Sequence, residues 1–134
     1  MKIAIIGSRG YTNKRKIKDF IFKIKEKFGD ELEVVSGGAK DGSDKYAKKF
    51  ALEFDIKYSE FPPVHESHNG YCVLEAFRYN KQYNVGNYHR RNKDIVEYSD
   101  RVVAFVTDSD RITNGTASAL KYSKKIEKTF VILD

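Results

Sequence analysis

The sequence has few of the residues that small proteins use for cross-links and membrane anchorage. It contains one cysteine, Cys72, two prolines and no tryptophan, so an intramolecular disulfide is excluded and a disulfide-stabilised secreted scaffold is unsupported. No run of about 18 apolar residues occurs, which excludes a transmembrane helix. The apolar run after Met1 is too short for a secretory signal and is typical of a β-strand. These absences predict a cytoplasmic protein in a reducing compartment, without a membrane partner.

What is present is one domain's worth of chain with an excess of positive charge. The 134 residues are 40% hydrophobic and 33% charged, a composition that supports one ordinary core. Lysine and arginine total 25 against 19 acidic residues, which gives a net charge of +6. Such an excess favours an anionic partner, although it also serves solubility alone.

Short apolar segments alternate with amphipathic ones along the chain. Strands are predicted at 2–6, 32–35, 56–61, 101–106 and 129–133, and helices between 13 and 29, at 42–54, from about 89 to 99 and at 115–125. The alternation predicts an α/β fold, a three-layer Rossmann-like sandwich with a mainly parallel five-stranded sheet. Residues 62–89 carry both prolines and several tyrosines. We therefore predict a single domain over 1–134 with an irregular insert at about 62–89, which includes a short helix near 73–79.

Three glycine-bearing loops follow predicted strands and precede predicted helices. They are Gly7-Ser8-Arg9-Gly10, Ser36-Gly37-Gly38-Ala39 and Asn114-Gly115-Thr116. In a doubly wound sheet such loops converge at the carboxyl edge of the strands, where ligands bind. Glycine lets the backbone approach an anion closely, and helix N-termini offer free N–H groups with partial positive charge. Together the loops favour a phosphate or a phosphorylated nucleotide more strongly than any one of them alone.

Polar side chains complete the predicted site. Arg9 and Arg91 carry planar guanidinium groups that match phosphate oxygens, although Arg9 also suits a simple pair with a surface carboxylate. Asp44 either caps the second helix or anchors a ribose hydroxyl, and Asn92 either joins the site or only ties adjacent loops together. The predicted ligand-binding residues are Gly7, Ser8, Arg9, Ser36, Gly37, Gly38, Ala39, Asp44, Arg91, Asn92, Asn114, Gly115 and Thr116.

The irregular insert holds residue types that suit either chemistry or packing. His65, His68 and Cys72 have a spacing that invites a metal site, but zinc sites usually need four ligands and a fourth is not evident. We predict neither a metal nor a cofactor, and we interpret Cys72 as a small buried apolar residue. The aromatic residues of the insert are predicted mainly to pack, with one or two available to stack on a base; they are Tyr71, Phe77, Tyr79, Tyr83 and Tyr88.

Four blocks of the sequence, taken in order, resemble the SLOG superfamily. They are GSR at 7–9, SGGAKDGSDKYAKKFAL at 36–52, HRRNKDIVEYSDRVVAF at 89–105 and NGTASALKYSKK at 114–125. The blocks look most like the small YspA-type branch, and they are also similar to the Rossmann core of the DNA-processing protein DprA. The resemblance implies a Rossmann-like fold with a nucleotide or nucleic-acid site at the strand ends. Because SLOG relatives often self-associate, it also leaves a homo-oligomer open.

A sister family, the cytokinin-activating LOG phosphoribohydrolases, cleaves the N-glycosidic bond of nucleoside monophosphates. Its members carry an arginine before the fourth strand, matched here by Arg91, and a PGGxGTxxE loop, matched at Gly115-Thr116. The position of the catalytic glutamate is Ala119 here, and the leading PGG is replaced by a polar stretch ending in Thr113-Asn114. An oxocarbenium-like hydrolysis needs a carboxylate near the ribose. The candidates for that role are Asp41, Asp44, Asp108 and Asp110.

Three functions follow from these patterns. The first is a sensor that binds a nucleotide or nucleotide-derived ligand through loop amides, Arg9 and Arg91. We prefer this binding function to an enzymatic one because the phosphate-binding half of the LOG site is retained and the catalytic glutamate is not. The alternatives are hydrolysis of a nucleotide's N-glycosidic bond and binding of single-stranded DNA. For DNA, the residues that would line a backbone track are Arg9, Lys40, Arg90 and Arg91.

Overall fold

Five parallel strands alternate with four α-helices in the computed structural model, which describes residues 1–107 and 114–134. The elements are β1 (Lys2–Gly7), α1 (Lys14–Phe28), β2 (Glu33–Ser36), α2 (Gly42–Glu53), β3 (Lys57–Glu60), α3 (Gly86–Tyr98), β4 (Arg101–Phe105), α4 (Asn114–Lys125) and β5 (Thr129–Leu133). The α/β sandwich predicted from the alternating pattern is confirmed. None of the helices in the described part of the chain is both long and apolar enough to cross a bilayer.

The strand order in the sheet is β3-β2-β1-β4-β5. The described pairs are all parallel, and Ala4 of β1 lies between Val35 of β2 and Val102 of β4. The helices α1 and α2 pack together, as do α3 and α4, and each pair covers its own face of the sheet. The chain therefore winds outward in one direction from β1 and in the other from β4. Open α/β sheets bind ligands outside the carboxyl ends of the strands at such a reversal.

The central strand β1 divides its side chains between two cores. Ile3 and Ile5 pack in the core beneath α1 and α2. Ala4 and Ile6 pack in the core beneath α3 and α4. Each of these side chains is at most 7% exposed, because a parallel strand that is covered on both faces has no polar side. This is why the strand appears in the sequence as a continuous apolar run.

Helix α1 starts and packs as its sequence predicts. The Asn13 side chain accepts a hydrogen bond from the backbone N–H of Lys16 at 3.2 Å, which satisfies one of the free donors of the first turn. Ile17, Ile21 and Ile24 recur at helical spacing and are buried. The apolar stripe anchors the helix on the sheet, and its lysine-rich remainder faces solvent.

The irregular segment occupies residues 61–85, between β3 and α3. Its predicted short helix is a single 3₁₀ turn at Ala76–Arg78. Backbone bonds attach the segment to the end of β3, since Glu60 N–H donates to Tyr71 O at 3.0 Å and Val73 N–H donates to Glu60 O at 3.3 Å. Helix α3 begins at Gly86, three residues before the predicted start. The first turn of α3 consequently lies where the sequence predicted a loop.

Glu33, at the beginning of β2, is a buried carboxylate with three partners. Its Oε2 accepts from Ser59 Oγ at 2.8 Å and from Tyr98 Oη at 2.5 Å. Its Oε1 lies 3.1 Å from Lys57 Nζ. Burial alone would raise the pKa of Glu33, but these hydrogen bonds and the lysine charge outweigh burial and lower that pKa below its usual value.

We expect Glu33→Gln to lower the free energy of unfolding by about 2 kcal/mol near neutral pH, because a neutral amide replaces a charge-assisted acceptor. The fold stabilises the ionised form of Glu33. Its contribution is therefore present above the usual glutamate pKa, about 4.3, and is lost as pH falls through the lower pKa of the folded state. Urea unfolding as a function of pH should show that the free energy of unfolding falls less at acid pH in the variant than in the wild type. Glu31→Gln, at an exposed position, is the control; equal effects of both variants would contradict this account.

Candidate ligand-binding site

A pocket of about 510 Å³ opens where the strand order reverses. Its apolar floor is formed by Ile6, Ile95 and Val106, and its walls come from the loops after β1 and β2 and from the beginnings of α2, α3 and α4. Small-molecule sites typically have volumes of about 300–1,000 Å³, with an apolar lining and a few convergent polar groups. The position and size of this pocket are those of a small-ligand site in a doubly wound sheet.

Most of the residues predicted for the site line this pocket. They are Gly7, Ser8, Arg9, Gly37, Ala39, Asp44, Arg91, Asn92, Gly115 and Thr116. Segments from near both ends of the described chain, from Gly7 to Thr116, are thus brought to one edge of the sheet, as the parallel topology requires. The Asn114 side chain lies outside the described residues. So do Asp108 and Asp110, the other carboxylates considered as replacements for the LOG glutamate.

Ser36 and Gly38 lie behind the pocket wall instead of on it. Ser36 Oγ is 2.6 Å from the hydroxyl of Tyr58 and accepts from the Gly38 N–H at 3.2 Å. A Cβ on Gly38 would come within 2.3 Å of Glu60 Oε2. Both residues therefore hold the loop after β2 against the neighbouring strand, and we do not keep them among the proposed ligand contacts.

The loop after β1 packs directly on the first turn of α2. Gly42 has a positive φ of 71°, and a Cβ there would lie 2.3 Å from Ser8 O and 2.6 Å from the Cα of Arg9. This close approach places Arg9 at the pocket. The hydroxyls of Ser8 and Ser43 are buried and have no hydrogen-bond partner among the described residues. Of the two residues, Ser8 lines the pocket and Ser43 does not, so it is the orphaned Ser8 donor beside the N-terminus of α2 that suits an oxygen of a bound anion.

Arg91 ties three parts of the site together. Its Nη1 donates to Gly37 O at 2.8 Å and to Phe61 O at 3.4 Å. Its Nε donates to Asn92 Oδ1 at 3.0 Å, and Asn92 Nδ2 donates in turn to Gly115 O at 3.2 Å. The loop after β2 and the beginning of α4 are thereby fixed relative to α3. Asn92 has the loop-tying position that the sequence suggested as one of its two roles.

Arg91 and Asp44 converge on Gly37. A Cβ at Gly37 would lie 2.5 Å from Arg91 Nη1 and 2.9 Å from Asp44 Oδ2, so the two charged groups occupy the space that a side chain would need. Asp44 Oδ2 also accepts from the Ala39 N–H at 3.2 Å. Burial raises the pKa of Asp44 in spite of the Arg91 charge, and burial lowers the pKa of Arg91. The carboxyl group is therefore easier to protonate than an ordinary aspartate.

Arg9 and Arg91 meet at one aromatic ring. The guanidinium carbons lie 5.6 Å and 5.8 Å from the ring centroid of Tyr88, within the range of cation–π contact. Arg9 is exposed, whereas Arg91 is half-buried. Tyr88 itself lines the pocket. The two arginines that the sequence placed in one site thus lie at the same pocket, and Tyr88 of α3 contacts both of them.

The predicted list of site residues omits three lining residues at or just before the beginning of α3, although Tyr88 is among the aromatic residues that the sequence makes available to stack on a base. Val85, Tyr88 and His89 all line the pocket, and His89 Nδ1 lies 3.2 Å from Ser118 Oγ of α4. They were assigned to the irregular insert because the start of α3 was predicted too late. The spacing of Tyr88 and Arg91, three residues apart, was the available signal, because residues at that spacing share a helix face.

The residues considered for a metal site are engaged in packing. The ring of His65 lies 4.8 Å from that of Tyr83, and the ring of His68 lies 5.8 Å from that of Tyr79. Cys72 Sγ accepts from the Asn69 N–H at 3.4 Å. Within residues 1–107 and 114–134, no three His, Cys, Asp or Glu side chains form a group that could hold a metal ion.

Comparison with known proteins identifies similar folds. No model of a protein family matches the sequence, and no curated protein sequence matches it. The structure is similar to the molybdenum cofactor binding protein from the phototrophic bacterium Rippkaea orientalis, with a TM-score of 0.73 and 18% identity over 98% of this chain and 74% of that one. It is also similar to two structures of the molybdenum cofactor carrier protein from Chlamydomonas reinhardtii, with TM-scores of 0.64, identities of 17% and 18%, and coverage of 98% of this chain and 74% and 75% of those chains. The chain shares their Rossmann-type fold, which is compatible with the fold that the SLOG resemblance implies.

Proposed function

We propose that the protein binds a nucleotide or a nucleotide-like phosphorylated compound in the pocket between the ends of β1 and β4. The observation that carries this proposal is the convergence of Arg9, Arg91 and the beginnings of α2 and α4 on one cavity. Helix N-termini and guanidinium groups both favour a negatively charged ligand. A cavity of about 510 Å³ has room for a sugar and a ring as well as a phosphate.

The phosphate is assigned to the loop after β1. Arg9 is exposed at the pocket wall, and Ser8, which also lines the pocket, has a hydroxyl that lacks a partner among the described residues. The first turn of α4 adds the hydroxyl of Thr116 on the facing wall. Arg91 donates hydrogen bonds to protein oxygens, so we assign it a mainly electrostatic and positioning role.

Two classes of compound carry a planar ring that suits this site. Nucleotides and the phosphorylated pterin of the molybdenum cofactor both join a planar heterocycle to a phosphate. The similar structures are those of proteins that bind or carry the molybdenum cofactor, but identities of 17% and 18% support only a common fold. We propose a nucleotide because the SLOG resemblance points to one, and we make a pterin phosphate an arm of the test.

Hydrolysis of an N-glycosidic bond is less well supported than binding. Ala119, at the position of the LOG glutamate, lines the pocket and is 2% exposed. The carboxylates that line the pocket, among the described residues, are Asp41 and Asp44. Asp44 accepts a backbone N–H and lies close to Arg91, which suits a positioning role. We therefore propose binding without turnover.

Calorimetric titration tests the proposal. The panel contains the common nucleoside monophosphates, inorganic phosphate, a pterin phosphate and a short single-stranded oligonucleotide. We expect a nucleoside monophosphate to bind in the micromolar range, more tightly than inorganic phosphate, and chromatography to detect no released base. Flat titrations of the folded protein with every monophosphate would contradict the proposal. Tighter binding of the pterin phosphate would replace the nucleotide, and tighter binding of the oligonucleotide would favour the DNA alternative.

Asp44→Asn is expected to strengthen nucleotide binding by about tenfold at neutral pH, because it removes a negative charge beside the phosphate. The groups that face Asp44 are Arg91, Arg9 and Glu60. Since burial raises the pKa of Asp44, the wild type should gain affinity as pH falls from neutral toward that pKa. The ligand's phosphate also titrates, so the variant measured in parallel isolates the Asp44 contribution. Identical pH profiles of the two proteins would contradict this assignment.

A further inference from the structure

Three aromatic side chains form a cluster beside the pocket, which we call the aromatic rim: His65, Tyr83 and Tyr88. Tyr88 lines the pocket, and the other two rings pack against it outside the lining. The ring centroid of His65 lies 4.8 Å from that of Tyr83 and 5.1 Å from that of Tyr88. Tyr83 and Tyr88 are 6.4 Å apart, with their rings at 71°. Each ring therefore neighbours the other two, and the tilted and edge-on geometries are those that aromatic pairs prefer.

Hydrogen bonds fix the rim in place. Asn87 Nδ2 lies 3.1 Å from His65 Nδ1 and 3.4 Å from Gln82 O, to which it donates. Asn84 accepts two further hydrogen bonds. Its backbone carbonyl accepts from the Asn87 N–H at 3.0 Å, and its side-chain Oδ1 accepts from the Gly86 N–H at 2.8 Å. The beginning of α3 and the end of the irregular segment are thus joined to the imidazole. A ring surface that is held in this way loses little entropy when a ligand stacks on it.

The rim is continuous with the phosphate side of the pocket. Tyr88 lines the pocket and carries the Arg9 guanidinium at 5.6 Å. Tyr83 does not line the pocket, but its ring contacts those of His65 and Tyr88, and the residue is 64% exposed. Val85 lies between Tyr83 and Tyr88 in the sequence. It lines the pocket and is also 64% exposed. The ring of Tyr88 is already in contact with the two arginines and with His65. Most of the Tyr83 side chain, in contrast, is accessible to a ligand.

We propose that Tyr83 stacks on the planar heterocycle of the ligand whose phosphate lies beside Arg9, with His65 and Tyr88 supporting the ring. This inference rests on the proposed function and assigns the recognition of the heterocycle to the rim. A purine base and a pterin share the required chemistry, a flat π-surface joined to a phosphate. Stacking on an aromatic side chain is tolerant of ring identity, so the rim selects for a ring and does not choose between the two.

The test compares ligands with and without a ring on matched variants. The ligands are guanosine monophosphate, a pterin phosphate and ribose 5-phosphate, which lacks the heterocycle. The variants are Tyr83→Leu, which removes the aromatic ring, and Tyr83→Phe, which keeps it. Phe77→Leu is the control, because Phe77 is 67% exposed in the same irregular segment but takes no part in the ring contacts of the rim. Dissociation constants are measured by calorimetry, and thermal unfolding confirms that each variant is folded.

We expect Tyr83→Leu to weaken binding of the ring-bearing ligand by about tenfold and to leave ribose 5-phosphate affinity unchanged, while Tyr83→Phe and Phe77→Leu bind as the wild type does. The ring-bearing ligand that the wild type binds more tightly identifies the source of the heterocycle. Equal losses for ribose 5-phosphate and the ring-bearing ligands, or no loss for any of them, would overturn the stacking role alone. A wild-type protein that binds none of the phosphorylated ligands would overturn the proposed function together with this inference.

Discussion

Arg9→Ala is expected to weaken binding of a nucleoside monophosphate by at least about tenfold and to leave the free energy of unfolding unchanged. A charge-assisted hydrogen bond to phosphate contributes about 1.5–3 kcal/mol, and each 1.4 kcal/mol corresponds to about tenfold in affinity. Arg9 is exposed, and its contact within the described residues is with the ring of Tyr88. Its removal therefore takes away a ligand contact without unpairing a buried group. Calorimetry and urea unfolding measure the two effects separately.

Arg91→Ala is expected to differ from Arg9→Ala by lowering stability as well as affinity. The substitution removes the donors to Gly37 O, Phe61 O and Asn92 Oδ1. Losing these bonds should decrease the free energy of unfolding by about 2–4 kcal/mol.

Arg15→Ala provides the matched control for both arginine variants. It removes the same charge from an exposed position of α1 outside this pocket. Wild-type affinity in Arg9→Ala, or an equal loss in Arg15→Ala, would contradict the site assignment.

Gly42→Ala is expected to lower the free energy of unfolding by about 3 kcal/mol and to abolish ligand binding. The residue has a φ of 71°, a conformation that alanine adopts only with strain, and its Cβ would lie 2.3 Å from Ser8 O and 2.6 Å from the Cα of Arg9. Both neighbours are backbone atoms, so the loop after β1 must move as a whole. Overpacking of this kind costs about 1–3 kcal/mol, and the unfavourable φ adds to it. Urea unfolding and calorimetry provide the measurements.

Gly70→Ala is the control for the glycine substitution. Gly70 belongs to the irregular segment, and a Cβ there has no atom within 4 Å. The Gly70→Ala variant should bind ligand and unfold as the wild type does. If Gly42→Ala binds the nucleotide normally, the position of Arg9 does not depend on the contact between this loop and α2, and our explanation of the site would be wrong.

The fold was predictable because the apolar pattern of each element is local. Ile3 to Ile6 form a continuous apolar run since both faces of β1 are covered. Ile17, Ile21 and Ile24 mark the buried side of α1. Parallel topology then brings the strand-end loops together without any further information. These features explain why widely separated loop residues could be placed at one edge of the sheet.

The details of the site were less predictable because backbone groups and chain direction determine them. The main acceptors of Arg91 are the carbonyls of Gly37 and Phe61, and carbonyls leave no trace in a sequence. Gly37 and Gly38 look equivalent in sequence, yet one adjoins Arg91 and the other adjoins Glu60. Gly38 has a positive φ of 73°, so the backbone turns between the two glycines, and the sequence alone does not show which of them faces the pocket.

The beginning of α3 shows a second kind of limit. Residues 86–91 carry no apolar periodicity that would predict a helix, and the predicted boundary depended on residues farther along the chain. Asn84 caps the preceding turn by accepting from the Gly86 N–H at 2.8 Å. An asparagine in a loop is too common to locate a helix start. Tyr88 was consequently treated as part of the insert, although it lies between the two arginines of the site.

A crystal structure of the protein with a bound nucleoside monophosphate tests the central claim most directly. The account predicts that the phosphate contacts the Arg9 guanidinium and lies between the loop after β1 and the first turn of α4, with the base directed toward Tyr83. A phosphate bound on another surface, or one in the pocket with Arg9 turned away from it, would contradict the account.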